Sequence, residues 1–128
     1  MKSENVGASP PHPVKGDLRD RTKKFAIRVV NLYTHLPKTM AAGMIGKQLL
    51  RSGTSAGAHL REAYRGRSKA EFVAKLDLTL QELDESLYWL ELLMDTKLIP
   101  KNRLSSLYKE AEELVAIFTS VSKKTKAN

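Results

Sequence analysis

Residues 50–93 read LRSGTSAGAHLREAYRGRSKAEFVAKLDLTLQELDESLYWLELL. The second half of this stretch repeats apolar residues at alternating steps of four and three, which is the spacing of one face of an α-helix. These residues are Phe72, Leu76, Leu80, Leu83, Leu87, Leu90 and Met94. The first half is rich in small residues and includes Gly53 and Gly57. Each glycine costs a helix about 1 kcal/mol relative to alanine, so the pair predicts a neighbouring helix too close for a larger side chain. A loop here is the alternative, because glycine also interrupts helices.

The same periodicity, followed outward, predicts four helices. They cover residues 17–36, 39–65, 68–94 and 100–122. Asp17 can cap the first helix, and Pro37 ends it because a proline disfavours helical geometry in the residue before it. Ser68 and Glu71 have the spacing of a capping box at the start of the third helix. Pro100 suits the first turn of the fourth helix.

These segments define the fold class and the domain organisation. Four amphipathic segments with short connections predict an all-α fold, an antiparallel up-down-up-down four-helix bundle over residues 17–122. We expect residues 1–16 to form a disordered leader, because they hold three prolines and no apolar core. Residues 123–128 are rich in lysine and are expected to form a basic flexible tail.

Composition restricts the compartment and the class of protein. The chain has 128 residues and no cysteine, so it has neither a disulfide framework nor a thiol nucleophile. Its first residues do not resemble a secretory signal, and no apolar run approaches the roughly 18 residues of a membrane span. We therefore expect a soluble, cytoplasmic protein without a membrane partner.

Residues that could carry chemistry are scattered. The histidines are His12, His35 and His59, and none belongs to a cluster with metal-ligand spacing. His59 has Glu62 three residues on, which is the reverse of the di-iron order, so a polar contact in the bundle or an interface is the better interpretation. Ser55 could touch His59 on a helix, yet no oxyanion hole or third group accompanies the pair. We expect no enzymatic activity, no metal, no cofactor and no small-molecule substrate.

The net charge of +8 is distributed unevenly along the chain. Residues 17–67 hold eleven basic and three acidic residues, whereas residues 68–99 hold three basic and seven acidic residues. Two interpretations stay open: the first half binds phosphate groups, or its cations pair with the acidic helices inside a bundle or across an oligomer. The candidate nucleic-acid-binding residues are Arg21, Lys24, Arg28, Lys47, Arg51, Arg61, Arg65 and Arg67.

The end of the third helix is more apolar than one bundle face requires. Between Leu87 and Met94 only Glu91 is polar, so the apolar surface extends beyond a single face. A patch of that width on a soluble monomer favours contact between subunits. The candidate oligomer-interface residues are Gly53, Gly57, Tyr88, Trp89, Leu92 and Leu93.

Three segments together carry a family resemblance. Residues 50–63 (LRSGTSAGAHLREA), 68–72 (SKAEF) and 82–93 (ELDESLYWLELL) resemble the bacterial four-helix-bundle family, also called intervening-sequence proteins because some members are encoded within insertions in large-subunit ribosomal RNA genes. The likeness spans residues 17 to about 121. It implies ring-like homopentamers and a distant relation to an accessory protein of diversity-generating retroelements, which binds a reverse transcriptase and nucleic acid. No catalytic residues are established for the family. His59 stands where relatives commonly have asparagine.

Two functional hypotheses follow. The first is a non-enzymatic homo-oligomer, a pentamer by the family resemblance, that binds RNA or DNA without sequence preference through the first two helices. The second is a protein-interaction scaffold without a nucleic-acid role, in which the basic helices meet the acidic third helix of a neighbouring subunit.

Overall fold

The computed structural model describes residues 16–127, with side chains described from Leu18 onward. Every regular element in this part of the chain is an α-helix. The helices are α1 (Gly16–Thr34), α2 (Met40–Tyr64), α3 (Lys69–Asp95) and α4 (Lys101–Ala127). The predicted leader lies outside the described residues except for Gly16. None of the helices within residues 16–127 is long and apolar enough to cross a membrane.

Contacts between the helices fix their directions. Gly46 of α2 lies beside Tyr33 and Gly57 lies beside Thr22, so residue numbers rise along α2 as they fall along α1. Hydrogen bonds give the same antiparallel order to the other three neighbouring pairs. They join Ser52 to Ser86 and Thr79 to Ala56 (α2 and α3), Tyr108 to Glu91 and Ser122 to Asp77 (α3 and α4), and Arg21 to Glu110 and Arg28 to Ser106 (α1 and α4). The predicted all-α four-helix bundle is confirmed.

One continuous apolar core runs between the four helices. The α3 seam predicted from the sequence provides much of it, with Leu76, Leu83 and Leu90 fully buried. Phe25 of α1 and Phe118 of α4 are the largest fully buried side chains. Burying an aliphatic or aromatic side chain of this size contributes about 1.5–3 kcal/mol to folding. The packing of amphipathic faces therefore holds the bundle together.

The small-residue run of α2 is helical, and α1 packs closely against it. A Cβ atom at Gly53 would lie 2.8 Å from Cγ2 of Val29 and 3.0 Å from Cγ1 of the same residue. At Gly57 a Cβ would lie 3.4 Å from Oγ1 of Thr22. Close packing is thus confirmed, and the alternative of a loop is excluded. The expectation that Gly53 lies at a subunit interface is wrong, because α1 of the same chain buries it.

The start of α3 follows the predicted capping box, and Thr39 caps α2 near its predicted start. Oγ1 of Thr39 accepts a hydrogen bond from the backbone N–H of Ala42 at 3.2 Å. Oγ of Ser68 accepts one from the N–H of Glu71 at 3.1 Å, and the Glu71 carboxylate accepts one from the N–H of Arg67 at 2.8 Å. Each cap satisfies a backbone donor that has no partner within the helix.

Two helix ends differ from the sequence prediction. α1 begins at Gly16, so Asp17 lies in its first turn rather than at the N-cap. α4 continues to Ala127, and residues 123–127, predicted as a tail, are helical. The reason is tertiary: Thr125 is buried, and Lys126 forms an ion pair with Asp77 of α3 at 3.0 Å.

Candidate nucleic-acid interface

Arg21, a predicted nucleic-acid ligand, is held by α4. Its Nη2 donates to Oε1 of Glu110 at 2.7 Å and its Nε donates to Oε2 of the same carboxylate at 3.1 Å. Glu113 accepts a further bond from Nη2 at 3.1 Å. The hydrogen bonding of Arg21 to Glu110 is the main cause of its raised pKa, with Glu113 also contributing. The bidentate pair directs this cation at its own bundle rather than at a ligand.

Arg51 is held in the same way by α3. Its Nη2 donates to Glu85 at 2.6 Å and its Nη1 donates to Glu82 at 3.2 Å. These hydrogen bonds raise the pKa of Arg51. Glu85 also accepts a bond from the indole Nε1 of Trp89 at 3.0 Å, and that bond, followed by the one from Arg51, lowers the pKa of Glu85. Both arginines belong to intramolecular networks, so the prediction that they bind phosphate is not supported by their geometry.

His59 extends the polar contacts between α2 and α3. Its Nδ1 lies 3.1 Å from Glu62 and its Nε2 lies 3.6 Å from Glu82. Glu62 also pairs with Lys75 at 3.1 Å. The hydrogen bond from His59, followed by the one from Lys75, lowers the pKa of the Glu62 carboxyl. His59 thus makes a polar contact within the bundle. Among side chains 18–127, no group of three or more histidine, aspartate or glutamate residues has the arrangement of a metal site.

The apolar end of α3 is better covered than the sequence indicates. Leu93 is fully buried in the core, so its assignment to an oligomer interface is wrong. Trp89 and Leu92 are half-buried, and Trp89 packs against the core. Tyr88 is 55% exposed, with its ring 4.9 Å from that of Trp89 in an edge-to-face arrangement. The core of the same chain therefore covers part of this surface, which the sequence of α3 alone does not reveal.

Four exposed apolar residues on α1 and α2 were missed from the sequence. Ile27 and Val30 lie on α1, whereas Met40 and Met44 lie in the first turns of α2. Met40 is 82% exposed and Met44 65% exposed. Phe25 and Val29 are buried and four residues apart, whereas Ile27 and Val30 lie off this spacing. Their departure from the regular spacing is the signal that could have identified them.

A groove between α1 and α2 brings together four basic residues. It encloses about 640 Å³. Its lining consists of Arg19, Asp20, Lys23 and Ala26 from α1 and Thr54, Gly57, Ala58, Arg61, Glu62 and Arg65 from α2. Arg61 and Arg65 were predicted as ligands, whereas Arg19 and Lys23 were not. Arg19 and Lys23 are four residues apart, and so are Arg61 and Arg65. The two members of each pair therefore lie on the same face of their helix.

The four cations of this groove have no acidic partner in the described part of the chain. No carboxylate oxygen among side chains 18–127 lies within 4.0 Å of their charged nitrogens. The two carboxylates that line the groove, Asp20 and Glu62, form ion pairs only with residues outside the lining. Asp20 pairs with Lys24 at 2.9 Å. The guanidinium of Arg19 lies 4.3 Å from the centre of the Tyr64 ring. The groove therefore combines small lining residues with four cations that outnumber its two carboxylates, so the lining keeps a net positive charge.

The other predicted cations lie outside this groove. Lys24 is exposed and bound to Asp20. Nη2 of Arg28 donates to Oγ of Ser106 at 2.9 Å. Lys47 and Arg67 are exposed and do not line the groove. Of the eight predicted ligands, the structure brings together Arg61 and Arg65 and separates them from the rest.

Comparison with known proteins places this bundle in a family. Residues 16–120 match the family model described as 23S rRNA-intervening sequence protein. The chain belongs to this family. It is also similar to the crystal structure of a protein of unknown function from the S23 ribosomal protein family of Bacteroides thetaiotaomicron VPI-5482, with 39% sequence identity and a TM-score of 0.78. That similarity covers 84% of this chain and 96% of the other. No match is found among curated proteins.

Proposed function

We propose that this member of the intervening-sequence protein family is a non-enzymatic, cytoplasmic homo-oligomer that binds RNA or DNA without sequence preference. The observation that carries the proposal is the set of four cations in the α1/α2 groove, which form no ion pair within side chains 18–127 and outnumber the two lining carboxylates, Asp20 and Glu62. Phosphate contacts by arginine and lysine supply most of non-specific nucleic-acid affinity, because they release counterions. The proposed ligands do not include Arg21 and Arg51, because carboxylates of the same chain bind both.

Self-association is the second part of the proposal. Ile27, Val30, Met40 and Met44 leave apolar surface on α1 and α2, and Tyr88 leaves some on α3. Exposed apolar residues that recur on neighbouring elements are typical of interfaces between proteins. The resemblance to the family implies a pentamer. A ring would repeat the groove in each subunit, and several weak sites on one particle raise the overall affinity for a long nucleic acid.

The test compares two charge reversals of equal size. The double variant Arg61→Glu/Arg65→Glu removes two groove cations, and Lys123→Glu/Lys124→Glu changes the charge equally on the exposed end of α4. Filter binding of a long RNA and a long DNA is measured over a salt series. We expect the groove variant to lose at least tenfold in affinity and the control to lose far less. Equal losses, or binding by the unmodified protein that ignores ionic strength, would refute the proposal.

A scaffold without a nucleic-acid role is the second candidate, and a specific observation favours it. Arg51 pairs with Glu82 and Glu85, so the basic helix α2 of this chain already pairs with the acidic helix α3. Asp84, Tyr88 and Asp95 are exposed on α3, where a basic groove of another subunit could meet them. Light scattering of the Arg61→Glu/Arg65→Glu variant distinguishes the two functions. Loss of the oligomer supports the scaffold, whereas loss of nucleic acid with the oligomer intact supports binding.

A further inference from the structure

We infer that the α1/α2 groove accepts a single-stranded phosphodiester chain rather than a duplex. The inference rests on the proposed nucleic-acid binding and adds to it the form of the nucleic acid and its position. Three properties of the groove lead to it: its width, its floor and the position of its cations.

The width follows from the packing of α1 on α2. Gly53 and Gly57 remove the side chains that would separate the two helices, and Val29 and Thr22 of α1 lie directly over them. Closely packed helices have axes about 8 Å apart, and each helix is about 10 Å across, so the depression between them is narrower than one helix. A DNA duplex is larger than a helix, because its major groove alone admits one. A whole duplex is therefore too wide to lie within the depression and can contact only its rims, whereas the backbone of a single strand can lie along it.

The floor allows a backbone to approach closely. Ala26, Thr54, Gly57 and Ala58 form it, and none of these side chains is longer than that of threonine. The lining also carries Arg19 and the three other cations, all with side chains long enough to reach phosphate oxygens of a strand lying between the helices. The two lining carboxylates, Asp20 and Glu62, form ion pairs with Lys24 and Lys75, which lie outside the lining. Contacts of this kind fix the position of the strand and carry no sequence information.

The groove offers little for base recognition. Tyr64 is the aromatic residue nearest to it, and the Arg19 guanidinium covers the Tyr64 ring at 4.3 Å. A base can stack on the outer plane of a guanidinium, and this contact tolerates every base. The expected ligand is therefore a single strand bound through its backbone, with Arg19 as a stacking surface.

The cation count gives a magnitude for the salt dependence. Four cations that each neutralise one phosphate give a slope of log affinity against log salt of about −2.8, at roughly −0.7 per phosphate for a single strand. An increase from about 50 to about 200 mM salt should then weaken binding about 50-fold. A surface that used all eight cations predicted from the sequence would give twice this slope.

The experiment measures fluorescence anisotropy of a labelled oligothymidine 12-mer and of a 12-base-pair duplex with the full chain. Ala58→Glu places a carboxylate on the groove floor, and Ala74→Glu makes the same change at an exposed position of α3. Thermal unfolding of both variants checks that each is folded. We expect the single strand to bind at least tenfold tighter than the duplex, and Ala58→Glu to weaken it at least tenfold. Ala74→Glu should stay within twofold of the unmodified protein.

Each other outcome has a defined meaning. Equal binding of the duplex, or equal effects of Ala58→Glu and Ala74→Glu, overturns this inference and leaves non-specific nucleic-acid binding standing. Displacement of the strand by inorganic phosphate at constant ionic strength also overturns it and assigns the groove to a free phosphate ligand. Dissociation of an oligomer by Ala58→Glu assigns the groove to a second copy of the chain. Absence of binding to short and long nucleic acids refutes both the inference and the proposed function.

Discussion

Gly53→Ala is the most direct test of how α1 and α2 pack. The substitution adds a Cβ atom 2.8 Å from Cγ2, 3.0 Å from Cγ1 and 3.2 Å from Cβ of Val29. Val29 is fully buried, so it has little room to move. Alanine gains about 1 kcal/mol over glycine from helix propensity, whereas overpacking a core costs about 1–3 kcal/mol. The net change in the free energy of unfolding is therefore about 0 to 2 kcal/mol of destabilisation.

Gly43→Ala is the matched control in the same helix. A Cβ at Gly43 would meet no atom within 4 Å, so this substitution keeps only the gain in propensity of about 1 kcal/mol. The two variants should thus differ by about 1–3 kcal/mol, which is the overpacking term alone. Urea unfolding followed by circular dichroism at one fixed protein concentration measures this difference, since self-association would make the stability depend on concentration.

A double-mutant cycle identifies the atoms responsible. Val29→Ala removes Cγ1 and Cγ2, so Gly53→Ala should be less destabilising by about 1 kcal/mol in the Val29→Ala background than in the unmodified chain. If Gly53→Ala stabilises the protein as much as Gly43→Ala does, the close approach of α1 is not the reason for glycine at position 53.

Two titrations test the polar contacts of α3. The pKa of Glu85 is lowered in the folded state, so its contribution to stability is present above about pH 4.5 and is lost as the pH falls through the lowered value. Urea midpoints between pH 6 and pH 3 should consequently fall less for Glu85→Gln than for the unmodified protein, and parallel curves would contradict this. The pKa of Tyr108 is raised to about 12, chiefly by its hydrogen bond to Glu91. Ultraviolet titration of Tyr108 in Glu91→Gln should move this value toward 10, and no movement would exclude that hydrogen bond as the cause.

The caps and seams could be predicted from the sequence because their physics is local. Ser68 and Glu71 satisfy backbone donors at the start of α3, and their spacing is visible in the sequence. The α3 seam could be identified because a core face repeats with the period of the helix whatever it packs against. The end of α4 could not be predicted in this way, since Thr125 and Lys126 are fixed by contacts with the rest of the bundle.

The candidate site was only partly predictable. The sequence identified Arg61 and Arg65, because a helical face of basic residues is visible in the spacing alone. It could not separate them from Arg21 and Arg51, whose carboxylate partners lie 31 to 92 residues away along the chain. The choice between a free and a paired cation depends on which helices become neighbours, and that is a property of the assembled bundle.

By itself, the sequence determined four helices, the capping box of α3 and the apolar faces that join the helices, since these depend on backbone hydrogen bonds and on periodicity within about four residues. Only the tertiary structure decided that Gly53 is covered by α1, that Leu93 lies in the core and that four cations share one groove. Burial and charge compensation depend on distances between segments remote in sequence. The antiparallel packing of the bundle sets those distances.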